Sequence, residues 1–155
     1  MCDWSLHAEI TRLGVEGETL ITHRFSCGTV GLASLADRQA HADWSAKKSL
    51  GDCSFTDKAP VVCAVCIPPG ARLSLPVIPR WVQERFAVQP DETATFEQLG
   101  PEVETHRDGV RFSNRQFALV HELGPGIMVQ VVSLEVADEP QSAIWEDVPV
   151  LVRAR

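Results

Sequence analysis

Glycine and proline recur along the whole chain and limit the length of any helix or strand that it can form. Each of the two residues occurs ten times among 155 positions. Such spacing predicts many turns between short segments and favours a β-rich fold over a bundle of long helices. The length suits one domain, residues 1–155, and no linker, repeat or low-complexity tract divides it.

One stretch without glycine or proline predicts the main helix. Leu32–Leu50 contains several alanines and leucines, which favour helix, and Ser34 can serve as its N-cap. Lys47 and Lys48 fall in the last turn, where positive charge complements the helix dipole. We therefore expect a helix near residues 34–49.

Alternating and apolar runs predict the strands. Residues 4–11 and 20–27 each alternate apolar with polar side chains, and the glycines between them predict a hairpin. Val61–Ile67 is apolar on both faces, which is typical of a central strand covered on both sides. Residues 71–77 alternate again and predict a partner strand for it.

Two further strand signals lie in the second half of the chain. Asp108-Gly109 between two apolar stretches predicts a hairpin turn. Val148–Val152 predicts the last strand, and Pro149 within it favours an edge position, because proline has no N–H for a ladder of hydrogen bonds.

We conclude that the fold class is α+β, mainly antiparallel β, in the form of a sandwich or partial barrel. The main helix near 34–49 is expected to pack against the sheet. A short helix is predicted near 79–87, because Pro79 fits the first turn of a helix.

The sequence also predicts a soluble, cytoplasmic protein that does not bind membranes. The N-terminus lacks the basic and apolar regions of a secretory signal, and Val61–Ile67 is far shorter than the roughly 20 residues that span a bilayer. The number of cysteines is odd, which favours reduced thiols over a secreted disulfide scaffold. The five cysteines are Cys2, Cys27, Cys53, Cys63 and Cys66.

Acidic residues are concentrated in one segment. Between Glu84 and Asp108, seven acidic and two basic residues carry −5 of the net charge of −7. The chain has no comparable cluster of Lys and Arg, so direct binding to nucleic acid is not expected. Such a segment would instead attract a protein partner with a basic surface, for example a surface that itself binds nucleic acid.

The short helix near 79–87 carries residues that are frequent in protein interfaces. Trp81 and Arg85 are four positions apart and share a helix face, and both residue types are enriched among binding hot spots. The alternative is that Trp81 and Phe86 cover the sheet while the acids only hydrate the surface. The predicted partner-binding residues are Arg80, Trp81, Arg85, Glu92, Glu97, Glu102 and Glu104.

Cys63 and Cys66 form a C-x-x-C motif, a spacing that zinc sites and redox pairs use. In an extended strand, residues three apart point to opposite faces, and a matching second pair of ligands is missing, although His23 and Cys27 could share one strand face. No helix follows directly whose dipole could activate a thiolate. We therefore predict no metal site and no cofactor, and interpret these cysteines as buried structural thiols.

Cys27 is the candidate nucleophile for an enzyme. It ends a predicted strand and precedes a glycine-containing turn, whose N–H groups could hold an oxyanion, with His41, His106 or His121 as the base. It lacks the glycine two positions earlier that a nucleophile elbow requires.

The sequence favours a small, acidic, noncatalytic protein-binding factor, acting as an adaptor, an inhibitor or an immunity-type protein. A cysteine-dependent enzyme centred on Cys27 is the first alternative. The second is a ligand-binding β-barrel, with a pocket lined from Val61–Ile67 and Ile127–Val136. Homo-oligomers are left open.

Overall fold

The structure, a computed structural model, describes residues 4–51, 54 and 56–135. A 3₁₀ helix, Trp4–Leu6, precedes the first strand. The strands are β1 Thr11–Leu13, β2 Thr19–Arg24, β3 Val30–Ser34, β4 Ala64–Cys66, β5 Arg72–Leu75, β6 Glu92–Gln98, β7 Asp108–Phe112, β8 Phe117–Leu119 and β9 Met128–Ser133. The helices are α1 Leu35–Ser49, α2 Arg80–Phe86 and α3 Val120–Leu123.

These nine strands form one sheet in the order β1-β4-β3-β2-β9-β5-β6-β7-β8. β1 and β4 run parallel, and every other neighbouring pair is antiparallel. The order divides the sheet into two halves, with β1 to β4 on one side and β5 to β9 on the other. Among the described strands, only the pairing of β2 with β9 joins the two halves.

Thr22 on β2 and Ile127, just before β9, lie at one end of this junction. The Thr22 N–H donates to the Ile127 carbonyl (2.8 Å), and the Ile127 N–H donates to the Thr22 hydroxyl oxygen (2.8 Å). The Gly126 N–H donates to the Thr22 carbonyl (2.8 Å). Thr22 is only 2% exposed, so these polar groups satisfy one another in the absence of water. We call these three hydrogen bonds the seam.

The inner face of the sheet carries the core. Strand side chains alternate between the two faces, and the inward ones are almost completely buried; they include Leu20, Leu73, Phe96, Val110 and Val131. The sheet curls over this core, so that α3, which follows the edge strand β8, reaches β3. There the Val30 N–H donates to Nδ1 of His121 (3.2 Å). The predicted α+β class with a mainly antiparallel sheet is confirmed.

Both predicted helices are present. α1 begins after Ser34, whose hydroxyl oxygen accepts a hydrogen bond from the Asp37 N–H (3.5 Å), as the N-cap prediction requires. α2 begins directly after Pro79. α1 contacts β2 and β3, yet none of its side chains is fully buried, because most of its apolar positions are small alanines. It is therefore a lightly attached helix rather than part of the core.

The first predicted strand is wrong in its position. Residues 4–6 form a 3₁₀ helix, because Leu6 turns inward and packs with Phe25 in a small separate cluster. The strand begins only at Thr11. It pairs with β4 and not with β2, so the predicted N-terminal hairpin does not form; β2 pairs with β3 instead.

Two other strand predictions are corrected by the topology. β4 is three residues long and lies second from the edge, so Val61–Ile67 is not a central strand. β5 pairs with β6 and β9 rather than with β4. Asp108 and Gly109 belong to β7 and face β6 and β8, because the chain turns between β6 and β7 over residues 99–107. The last predicted strand, Val148–Val152, lies outside the described residues.

The cysteines are not all reduced. Cys66 is disulfide-bonded, whereas Cys27 and Cys63 are free thiols. The prediction of reduced thiols is wrong at Cys66, because sequence spacing does not show which cysteines a fold brings within about 6 Å of each other. No helix among the described residues is long and apolar enough to cross a bilayer.

Because of the seam, removing the Thr22 hydroxyl group should lower the stability of the fold. Thr22→Val keeps the side-chain volume but leaves the buried Ile127 N–H without its acceptor. We expect the free energy of unfolding, measured by urea denaturation, to fall by about 1–3 kcal/mol. Thr93→Val is the matched control, because Thr93 is exposed on β6, and its effect should stay within about 0.5 kcal/mol. Equal losses in the two variants would contradict the role assigned to the seam.

Candidate protein-binding surface

α2 is held in place by residues other than its predicted binding residues. Val82 and Phe86 are 0% and 7% exposed and belong to the core. The chain turns after Phe86 through Ala87, which has a left-handed φ of 52°. The side-chain amide of Asn114 donates to the carbonyls of Phe86 (2.9 Å) and Ala87 (2.8 Å). The orientation of α2 is therefore set by its buried face and its C-terminal end.

Trp81 points away from this buried face and is 46% exposed. Its ring edge lies beside Gly124, where a Cβ would come within 3.8 Å of the indole. Val77 is 67% exposed four positions earlier. The alternation over residues 71–77 in the sequence predicts that Val77 faces the core. In the structure β5 ends at Leu75, and Pro76 breaks the pattern. Pro76 is the sequence signal that could have identified Val77 as a surface residue.

Both arginines of α2 take part in ion pairs. Arg80 Nε lies 2.9 Å from Glu84 Oε1 on the same helix, and Arg85 Nη2 lies 3.0 Å from Glu122 Oε1 on α3. The Arg80 side chain remains 89% exposed, so its pair contributes little to stability and its guanidinium stays accessible. We call Val77, Arg80, Trp81 and Arg85 the α2 surface.

Glu92 lies at the same corner of the molecule as the beginning of α2. The Ile78 N–H donates to the Pro90 carbonyl (2.7 Å), two residues before Glu92. The Glu92 carboxylate accepts hydrogen bonds from the Gln89 N–H (3.2 Å) and the Ser113 hydroxyl (2.7 Å). Glu92 therefore shapes this turn in addition to adding charge beside the α2 surface.

Glu97 lies on the other face of the sheet. It alternates with the buried Phe96 on β6 and forms a two-pronged ion pair with Arg111 of β7, at 2.6 Å and 2.7 Å. This arrangement is the strongest geometry that an Arg–carboxylate pair can adopt. Its charge is neutralised locally, and the sheet separates it from the α2 surface.

Glu102 and Glu104 lie in the loop between β6 and β7, at the far end of β6 from Glu92. Both are exposed and neither has a partner among the described residues. The loop is closed by Arg107, whose guanidinium donates twice to the Leu99 carbonyl, at 2.9 Å and 2.7 Å. These two carboxylates are therefore free to act on an approaching partner.

The seven predicted residues thus occupy three places. Arg80, Trp81, Arg85 and Glu92 lie near one another, Glu97 is on the opposite sheet face, and Glu102 and Glu104 form a separate acidic loop. The acidic segment is continuous in sequence, but β6 runs through it and places Glu92 and the loop after Gln98 at opposite ends of the strand.

Cys27 is an exposed thiol rather than a buried one. Its Sγ donates to the Ser5 carbonyl (3.5 Å), and no described imidazole lies within hydrogen-bond distance of it. The N–H of Gly28, in the turn that follows, is already bound to the Phe25 carbonyl (2.9 Å). The turn therefore offers neither a base for the thiol nor this N–H for an oxyanion.

The three candidate bases are engaged elsewhere. His41 on α1 lies 3.0 Å from the Pro60 carbonyl. His106 and His121 stack on each other with ring centroids 3.8 Å apart, and His121 accepts the Val30 N–H. The His106 main-chain N–H donates to the Ser5 hydroxyl (3.3 Å), so Cys27 and His106 hydrogen-bond to different atoms of the same serine.

The remaining candidate sites are a metal site, the C-x-x-C motif and a barrel pocket. In the described part of the chain, no three His, Cys, Asp or Glu side chains are grouped closely enough to hold a metal ion. Cys63 and Cys66 are not bonded to each other, since Cys63 is free. The side chains expected to line a barrel pocket pack into the core cluster; they are Val65, Ile67, Ile127, Val129 and Val131.

His23 has an altered pKa. It lies half-buried on β2 with its ring edge-on to Phe25, 4.8 Å between centroids. Burial lowers the pKa of His23, and the positive charge of Arg38 and the neighbouring His41 lower it further, while Glu9 opposes them.

This shift predicts how stability changes with pH. Above about pH 6.5, His23 is neutral in both the folded and the unfolded chain. As the pH falls below that value, the unfolded chain binds the proton first, so the free energy of unfolding decreases until the folded pKa is passed. Urea denaturation at pH 7.5 and 5.5 should therefore show a smaller loss in His23→Gln than in the natural chain. An equal loss in His23→Gln and in the natural chain would contradict this effect of the His23 pKa.

Comparison of the chain with protein-family models, with characterised proteins and with solved structures gives no match.

Proposed function

We propose that the protein is a noncatalytic protein-binding factor whose partner contacts the α2 surface. The observation that carries this proposal is the position of Trp81, whose indole is nearly half exposed on a helix that is anchored by Val82 and Phe86. A tryptophan that only covered the core would be expected to bury its ring as those two residues do. Val77, four positions earlier in the chain, is also exposed, at 67%.

The partner would offer an apolar pocket for the indole within a polar rim, the usual anatomy of a specific interface. Around Trp81, the ion-paired Arg80 and Arg85 supply such a rim. Asp91, exposed and unpaired among the described residues, adds negative charge next to Glu92. With a net charge of −7, the chain would attract a partner that is basic around that pocket. This chemistry fits an adaptor, an inhibitor or an immunity-type protein.

Replacing the indole tests the proposal. Bound to a resin, the natural chain should retain a specific partner from a cell lysate, and the affinity of the purified partner should fall about 30-fold or more in Trp81→Ala. The reason is that a hot-spot tryptophan contributes about 2 kcal/mol or more to binding. Isothermal titration calorimetry measures the change.

Two valines provide a matched pair for the same experiment. Val77→Ala should weaken binding, whereas Val132→Ala should not, because Val132 has a similar exposed fraction, 51%, but lies on β9 away from α2. Thermal melts of all three variants should resemble that of the natural chain, since none of the three residues belongs to the buried core. An unchanged affinity in Trp81→Ala would remove α2 from the proposed function.

The acidic loop makes a separate prediction about association rate. Glu102→Lys combined with Glu104→Lys should slow partner association about tenfold at about 10 mM salt, where the screening length is about 30 Å, and much less at 1 M. Asp43→Lys with Glu135→Lys changes the net charge equally at exposed positions elsewhere. Stopped-flow association rates compare the two double variants. Equal slowing would indicate that only net charge matters, and not the position of the loop.

A further inference from the structure

The described helices leave the outer face of the sheet open around β5, β6 and β7. α1 contacts β2 and β3, and the buried side chains of α2 and α3 belong to the core on the inner face. Arg72 of β5 pairs with Thr95 of β6, and Thr95 pairs with Arg111 of β7. Paired residues share a face and neighbouring strands lie about 4.8 Å apart, so the two arginines stand about 10 Å apart in one row. All three residues line a cavity of about 300 Å³.

Arg111 is held in a fixed orientation at one end of this row. Its Nε and Nη2 donate to the Glu97 carboxylate, and its Nη1 donates to the Arg115 carbonyl (3.0 Å). The Phe117 ring centroid lies 5.3 Å from the guanidinium carbon. These contacts use three of the five N–H groups of the guanidinium and leave two for a ligand. Because the planar group is already immobilised, a ligand that binds it meets a small entropic cost.

Arg72, at the other end of the row, is exposed, and no described residue forms a hydrogen bond or an ion pair with its guanidinium. The register with β9 shifts between Arg72 and Leu73, as at a β-bulge, and such irregularities often redirect side chains beside binding sites. Two arginines against the single carboxylate of Glu97 leave one positive charge here, in a chain whose net charge is −7. This end of the cavity therefore favours an oxyanion, for which arginine has matching geometry.

A second cavity, of about 550 Å³, continues the first one towards the beginning of β6. The two cavities share Thr93 and Ser113, whose hydroxyl groups can both donate and accept hydrogen bonds. The second cavity is lined by the carboxylates of Asp91 and Glu92. Asp91 lies four positions before Thr95, so about 13 Å of extended chain separates the acidic end from the row of arginines. Together the two cavities form one groove that is positive at one end and negative at the other.

We propose that this groove binds short peptides with free termini. The peptide carboxylate lies between Arg72 and Arg111, and its ammonium group lies at Asp91 and Glu92. An extended tripeptide spans about 10 Å, which fits the distance between the two ends once the arginine side chains reach into the groove. The hydroxyl groups along the floor bind the peptide amides. The proposal does not depend on protein binding at the α2 surface.

Isothermal titration calorimetry of the full chain with triglycine as the probe tests this assignment. Triglycine carries both terminal charges and no side chain, so its binding reports the two ends of the groove alone. We expect saturable binding below about 10 mM. N-acetyltriglycine and triglycine amide each lack one terminal charge, and each should bind about tenfold more weakly or less tightly still, because a charge-assisted hydrogen bond is lost.

Two substitutions assign each end of the groove to one end of the peptide. Arg72→Gln should weaken triglycine binding about tenfold and leave the binding of triglycine amide unchanged. Asp91→Asn should weaken triglycine binding and leave that of N-acetyltriglycine unchanged. Arg38→Gln and Asp43→Asn make the same changes of charge at exposed positions of α1 and should not affect any of the three probes. All four residues are outside the core, so the variants should fold as the natural chain does.

Three results would overturn the proposal. The first is the absence of saturable heat with triglycine up to about 10 mM. The second is inorganic phosphate binding as tightly as triglycine, because the groove would then recognise an anion alone. The third is equal weakening of triglycine and N-acetyltriglycine in Asp91→Asn, because the acidic end would then not bind the ammonium group. Trp81→Ala should leave triglycine binding unchanged, so failure at the groove and failure at the α2 surface are distinguishable.

Discussion

The pairing of β2 with β9, which ends at the hydrogen bonds between Thr22 and Ile127, is the one strand pairing that joins the two halves of the sheet among the described residues. The remaining strands extend the sheet on either side of that junction. β2 and β9 form the middle of the sheet, and their inward side chains begin the core that α2 and α3 cover. The buried Thr22 is stable there because its hydroxyl and main-chain groups are hydrogen-bonded. Thr22 thereby combines a packing role with a hydrogen-bonding role.

The same arrangement separates the parts of α2 that stabilise the fold from the parts that are available for binding. Val82 and Phe86 attach the helix, while Trp81 and Val77 are left to the solvent. A rigid element that presents an aromatic side chain loses little conformational freedom on binding, which lowers the entropic cost of an interface. Cys27 lacks comparable support, because its thiol contacts a carbonyl and the nearby imidazoles contact each other.

Local chemistry predicted the helices well and the strand partners poorly. The N-cap Ser34 and the first-turn Pro79 act through neighbouring residues, and both helices begin where these residues indicate. Pairing depends on distant residues, so Asp108-Gly109, a turn signal by composition, forms the beginning of β7. The site shows the same contrast. Trp81 was identifiable from residue type, but the separation of Glu97 from α2 depends on the face of β6 that it occupies.

The central position of β9 has a consequence for synthesis. Thr22 and Ile127 are 105 residues apart in the chain. A ribosome adding about 5–20 residues per second leaves an interval of about 5–20 s between the two. During that interval β2 can pair with β3 but still has one uncovered edge, with unsatisfied N–H and C=O groups. The nascent chain therefore passes through a stage in which chaperone binding or exchange of strands between neighbouring chains competes with its own completion.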